Sequence, residues 1–156
     1  MRLSARAISF LVVMLLSTFA FAGNITFDST SRSRPGYLFV LSAISGTLDG
    51  NTLTLNSVPN VIYFSDRPYR VAGHISVDSF VEKWNKGADS FKTDPPNATL
   101  SILSKDGQQT AVVELKSIKQ KNGALYFEIA EQQGEISESF DTAALFIDLG
   151  KLPLFP

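Results

Sequence analysis

Cysteine is absent from this sequence. No disulfide can staple the fold, and no thiolate can bind a metal or attack a substrate. The single histidine, His74, leaves too few ligands for a zinc site. Asp49-Gly50-Asn51 and Asp106-Gly107-Gln108 are too sparse in oxygen ligands for calcium. No Gly-rich phosphate loop, dinucleotide fingerprint or Gly-x-Ser-x-Gly elbow occurs, so no cofactor is expected. Charge is modest in both signs, with 14 basic and 15 acidic residues. A nucleic-acid binder needs a basic stripe, and none is present. Beyond the N-terminus no apolar run approaches the roughly 20 residues that span a bilayer.

The N-terminus is apolar in an ordered way. Arg2 and Arg6 precede the run Ile8 to Leu16 (ISFLVVMLL), and Ala20-Phe21-Ala22 places small residues before Gly23. Basic, apolar and small regions in that order predict a cleavable signal peptide over 1–22. The apolar core is about half the length of a membrane span. With no cysteine to carry a lipid, no anchor is expected. The predicted product is therefore exported, soluble and periplasmic or extracellular. Residues 1–22 hold two basic and no acidic residues, so the remaining 134 residues carry a net charge of −3. That length suits one β-rich domain, 23–156, held by burial alone. Nine of the twelve Phe lie in it.

Within the domain, Asn24 to Pro35 reads as a loose or edge segment. Tyr37 to Ser45 (YLFVLSAIS) is a continuous apolar run that predicts a buried strand. Asp49-Gly50-Asn51 is a turn signal before the alternating strand Thr52 to Leu55. Val61 to Phe64 (VIYF) predicts a short buried strand, Ser65 to Pro68 a turn, and Tyr69 to Ile75 a further extended segment. The period then changes. Val77, Phe80, Val81 and Trp84 fall on one helical face, which predicts a helix over about 77–86 capped by Ser76 and stopped by Gly87. Asp94-Pro95-Pro96-Asn97 is a rigid corner. A meander follows: Ala98 to Ser104, a turn at Lys105-Asp106-Gly107, Thr110 to Ile118, a turn at Asn122-Gly123, and Ala124 to Glu131. Gln132 to Ser139 reads as a polar loop, Ala143 to Leu149 as the last strand, and Gly150 to Pro156 as an apolar end. Seven or eight such strands predict a single antiparallel β-sandwich or flattened barrel with one short helix packed on it.

The densest group of functional side chains is Tyr63 to His74. Arg67 and Arg70 flank Pro68-Tyr69, and their planar five-donor forks suit a carboxylate or phosphate. Asp66, Arg67, Tyr69, Arg70 and His74 are the candidate ligand-binding residues, with Trp84 added if it is exposed nearby. Turn capping and an ion pair offer a plainer use of the same residues. Ser65, Asp66 and His74 include the residue types of a hydrolytic triad, which exists only if geometry assembles them. No catalytic residue is assigned.

The phrases YLFVLSA, SGTL, YFSDRPYR followed by AGH, and DPPNATLSIL together resemble those of a group of small, exported, uncharacterised bacterial proteins. The resemblance implies a bacterial, exported, single-domain protein and transfers no activity, ligand or cofactor. The leading expectation is a non-enzymatic binding module for a protein or envelope component. A small-molecule or anion binder using Arg67, Arg70 and His74 is the first alternative, and a hydrolase using Ser65, Asp66 and His74 the second.

Overall fold

In a computed structural model that describes residues 35–104 and 107–150, the chain alternates short strands with tight turns and one helix. The strands are β1 (Tyr37–Ala43), β2 (Ser45–Asp49), β3 (Thr52–Asn56), β4 (Val61–Ser65) and β5 (Ala72–Ile75) before helix α1 (Val77–Trp84). After it come β6 (Asn97–Ser104), β7 (Gly107–Lys121), β8 (Ala124–Gln133), β9 (Ser139–Phe140) and β10 (Ala143–Gly150). The expected signal peptide, the segment 24–34, most of the turn at 105–107 and the chain end 151–156 lie outside the described residues.

All ten strands join one antiparallel sheet in the order β5-β4-β1-β10-β6-β7-β8-β3-β2-β9. Two connections force this sheet to roll. Ile44 alone joins β1 to β2, and Asp141-Thr142 joins β9 to β10, yet each pair lies six places apart in the order. Six strand spacings in a flat sheet cover about 29 Å, whereas one or two residues reach only about 3.5 to 7 Å. The sheet must therefore turn back on itself. It makes two layers, β5-β4-β1-β10-β6 and β8-β3-β2-β9, with β7 shared between them. β7 achieves this through register shifts between Val113 and Leu115 and between Leu115 and Ser117. Such bulges bend a strand and sharpen its twist, and they also move the inward position from Leu115 to Ile118. Since β5 and β9 do not pair with each other, the roll stays open. The antiparallel sandwich or flattened barrel expected from the sequence is what forms, with ten strands among the described residues rather than seven or eight.

Turn chemistry sets the hairpins. Asp49 pairs with Thr52 and Lys121 with Ala124, each across two residues. Asn122 and Gly123 have φ of 53° and 78°, which matches the twist that two-residue hairpins need.

The core lies between the layers. Phe39, Leu41 and Leu145 face Leu53, Leu55, Leu125 and Phe127, all buried. Helix α1 and the turn after it close the open flank. Ser76 caps the helix by accepting from Ser79 N–H at 3.2 Å, and Asn85 ends it two residues earlier than the sequence suggests. Phe80 packs on Phe39 of one layer (centroids 5.1 Å), and Trp84 on Phe127 of the other (6.0 Å). Phe91 sits between Phe39 and Trp84, at 5.8 and 4.7 Å. Each buried ring contributes about 1.5–3 kcal/mol by the area it removes from water. Trp84 is thus a core residue with no solvent exposure. It is not part of a surface aromatic patch with Tyr69 and Arg70, and it drops out of the candidate ligand-binding set. Its Nε1–H has no partner among the described residues.

Candidate functional site

The β4–β5 hairpin carries most of the residues singled out by sequence, and backbone pairing fixes where each one points. Val61 and Tyr63 are buried while Ile62 and Phe64 are exposed, so odd positions of β4 face the core. Ser65 continues the inward parity. His74 pairs with Ile62 and is exposed, so it faces outward with Ile62 and Phe64. Ser65 and His74 therefore lie on opposite faces of the sheet, three residues apart in register. Ser65 Oγ instead accepts from Val71 N–H at 2.7 Å. The triad geometry does not assemble.

The turn itself is tied down by backbone bonds. Ser65 N–H donates to the Val71 carbonyl at 2.7 Å, and Arg70 N–H to the Asp66 carbonyl at 3.2 Å. Asp66 anchors the turn to the start of β1. Its N–H donates to the Gly36 carbonyl at 3.0 Å, and its Oδ1 accepts from Gly36 N–H at 3.2 Å. This is a structural role, as turn carboxylates commonly have. Arg70 adopts a φ of 51°, in the left-handed region that non-glycine residues seldom occupy. Arg67, Tyr69 and Arg70 are exposed. Neither arginine has an ion-pair partner among the described residues, so the expected pairing of Arg70 with an acidic neighbour is not found.

Beneath the turn, Tyr37 and Tyr63 meet edge to face with centroids 5.6 Å apart. Burial, with Tyr63, Asp66 and Tyr69 nearby, pushes the Tyr37 hydroxyl above the usual tyrosine range. Tyr63 Oη lies over Gly73, where an added Cβ would stand 2.6 Å from it.

The outer face beyond this hairpin is where sequence reasoning fell short. Cross-strand pairing aligns His74, Ile62, Val40, Phe146, Thr99 and Val112 in one row across β5, β4, β1, β10, β6 and β7. The row spans about 24 Å at the usual strand spacing. Ile62, Phe146 and Val112 are 39–40% exposed, and Phe64 beside the row is 47% exposed. Leu38 and Val40 are half-buried. Tyr69 and Val71 extend the surface onto the turn, at 38% and 39% exposure. Phe and Tyr side chains each present 150–250 Å² when fully exposed, so this surface leaves roughly 500 Å² of apolar area in water. The largest apolar patch on a typical soluble monomer is about 300–600 Å² and is often functional.

The signal for it lay in the continuous apolar runs. YLFVL of β1, VIYF of β4 and AALFI of β10 do not alternate, and these three strands are neighbours. Unbroken runs are typical of strands covered on both faces, yet among the described residues only the inner face is covered.

Two clefts lined by described residues lie elsewhere. One of about 690 Å³ opens on the other layer, beside Thr52, Lys119, Lys121, Tyr126 and Glu128. A smaller one of about 330 Å³ lies near Gln109, Ser137 and Asp141. Gln109 Oε1 accepts from Ser137 Oγ at 3.0 Å there, closing the strand end. Neither cleft includes Arg67, Arg70 or His74. Among the described residues no His, Asp and Glu side chains gather as metal ligands, and no helix is long and apolar enough to cross a membrane. No family model, curated protein or solved structure matches the chain.

Proposed function

We propose that the chain is an exported, non-catalytic binding module that recognises a protein through the outer face of β4, β1 and β10 and the adjoining Arg67–Val71 turn. The observation that carries this reading is the apolar row itself. It has an aromatic and aliphatic centre, with Asp148 exposed beside Phe146 on β10 and Arg67, Tyr69, Arg70 and His74 at the margin. Specific interfaces have that anatomy, and Tyr and Arg are enriched among the residues that dominate their energy. Export is supported by the basic, apolar and small regions in order over residues 2–22. The N-terminus of the exported product is expected at Gly23; an intact Met1 on exported protein would remove that part of the proposal.

The absence of cysteine offers a clean test. A Phe64→Cys variant has one thiol on the outer face, and Glu128→Cys one thiol on the opposite layer. A thiol-directed crosslinker applied in the exported compartment should give a discrete adduct at position 64 and none at 128. No adduct at 64, or equal adducts at both, contradicts the reading.

One observation favours a second ligand class at the edge of the same surface. Arg67 and Arg70 lie on one tied turn and have no ion-pair partner among the described residues, an arrangement suited to a carboxylate or phosphate. Titration with inorganic phosphate should show saturable binding that Arg67→Gln abolishes; no saturation contradicts it.

A further inference from the structure

We infer that the partner protein presents its carboxyl-terminal segment as an added strand, paired antiparallel with the open edge of β5, its terminal carboxylate held by Arg67 and Arg70. The inference rests on the binding reading above and names the part of the partner that makes the contact.

The backbone defines what the edge offers. Among the described residues β5 pairs with β4 alone. Hydrogen-bonded and non-bonded pairs alternate along an antiparallel ladder. Ser65 N–H donates to the Val71 carbonyl, and Asp66 N–H to the Gly36 carbonyl. Odd residues of β4 therefore bond to β5, and even residues to β1. Gly73 and Ile75 stand opposite Tyr63 and Val61, so their backbone groups are the ones β4 uses. The N–H and C=O of Ala72 and His74 point away from β4 and find no partner among the described residues. Both residues are exposed. Two donors and two acceptors along one strand edge are matched by an extended peptide backbone.

The two ends of the sheet differ in how they are guarded. β9, at the other end, is two residues long and lies between Glu138 and Asp141. Short length and charge are usual means of keeping an edge unpaired. β5 is four residues long, carries no Lys, Arg, Asp, Glu or Pro, and pairs with β4 without a register shift.

Charge fixes the direction of the added strand and where it ends. Arg67 and Arg70 lie on the turn leading into β5, exposed and without an ion-pair partner among the described residues. Asp66, the one carboxylate of the turn, accepts from Gly36 N–H. The N–H groups nearest the edge are also in use, Arg70 bonding to the Asp66 carbonyl and Val71 to Ser65 Oγ. Past Ala72 an added strand meets two guanidinium groups suited to a carboxylate. A strand whose C-terminus stops there runs antiparallel to β5. Its residues opposite Ala72 and His74 place their side chains on the outer face, in line with Phe64 and Ile62. Both of these are exposed, so apolar residues are expected at the last and third-last positions of the partner.

The test uses the protein exported by its own N-terminus and a pool of fluorescent peptides, apolar at the last and third-last positions and randomised elsewhere. One pool has a free C-terminus and the other a C-terminal amide. Anisotropy should show saturable binding of the acid pool, with the amide pool weaker by about 10-fold or more. Arg67→Gln and Arg70→Gln should each weaken the acid pool and leave the amide pool unchanged. Ala72→Pro removes an N–H that faces away from β4, where a sheet edge tolerates proline. It should weaken both pools by about 10-fold, with the circular dichroism spectrum unchanged. Should Ala72→Pro misfold, amide hydrogen exchange takes its place, and the acid pool should slow exchange at Ala72 and His74. Equal binding of the two pools overturns the inference, as does binding that leaves both amides exchanging freely. Protection of both amides in the protein alone shows an edge covered from within the chain, and overturns it as well. If neither pool binds yet Phe64→Cys crosslinks to a protein, the added strand fails while the binding surface stands. If neither pool binds and nothing crosslinks, both fail.

Discussion

The two layers of the rolled sheet share one core but face the solvent differently. On the outer side of the first layer, Ile62, Val40, Phe146, Thr99 and Val112 form a row. On the outer side of the second, the matching row is Thr47, Thr54, Tyr126 and Lys119. The second layer is what a sheet with one solvated face requires, with apolar and polar residues alternating along each strand. β3 alternates Leu53 and Leu55 with Thr52 and Thr54. The first layer breaks that rule on three adjacent strands. Both layers need their inner faces to fold, so folding alone does not require the outer apolar residues of the first. Exposed aliphatic and aromatic groups at that density carry a risk of aggregation, and the proposed binding role would account for them.

The largest expected effect breaks what the layers share. Trp84→Ala should lower unfolding stability in urea by about 3–5 kcal/mol, because it empties the space between Phe80, Phe91 and Phe127. Trp84→Phe should lose much less, about 1 kcal/mol, since it also removes an indole N–H that has no partner among the described residues and whose burial is itself unfavourable. Equal losses from the two variants would show that the N–H is satisfied.

Next in size is Gly46 of β2, held between β3 and the edge strand β9 of the second layer. A Cβ there would collide with the Phe140 ring and the Thr54 carbonyl. Gly46→Ala is expected to cost about 1–3 kcal/mol in chemical denaturation, as overpacking does. Gly73→Ala, on the edge of the first layer, meets only the end of the Tyr63 side chain and should cost less. The reverse order would mean that the second layer around Gly46 is the more pliable.

The outer faces should respond in opposite ways. Ile62→Lys on the first layer should change dilute-protein stability by less than about 1 kcal/mol while abolishing crosslinking at the face. Thr54→Lys on the second should leave crosslinking untouched. Loss of crosslinking in both variants would erase the distinction between the layers.

A smaller effect is alkaline. The Tyr37 hydroxyl ionises at a higher pH in the folded protein than in the unfolded chain. Above about pH 10 the folded state then holds the proton more tightly than the unfolded state, and stability falls as pH rises through the raised value. Below that window the proton is bound in both states and the contribution is constant. Tyr37→Phe should flatten the decline above about pH 10 in thermal melts; an unchanged slope would assign it to other groups.

The sequence made some of this legible and hid the rest for identifiable reasons. The hairpins at Gly50-Asn51 and Asn122-Gly123, and the helix from Ser76 to Trp84, are encoded within a few residues, so local chemistry was enough to find them. The roll of the sheet was not legible. It depends on Ile44, a single residue inside the apolar run Tyr37 to Ser45, which reads as one strand but is divided between two layers. Strand β9 is two residues long, paired to β2 through Gly46 and Thr47, and reads as loop. Of the candidate site, the turn followed from position, whereas the outward place of His74 needed the register of β5 against β4. The separation of Ser65 from His74 needed the register, and the burial of Trp84 needed the packing of two distant strands. The apolar outer row was visible only as continuous runs, because a run cannot say which of its residues faces which way until its neighbours are known.

Hydroxyl-radical footprinting tests the central claim most directly, with Phe64 and Phe146 followed on one layer and Tyr126 on the other. The side chains would be labelled in dilute purified protein and again in the exported compartment. The account predicts that Phe64 and Phe146 are protected in the compartment relative to dilute protein, with Tyr126 labelled equally in both. Equal labelling of Phe64 and Phe146 in the two settings would show that the face stays in water and would contradict its role as a contact surface.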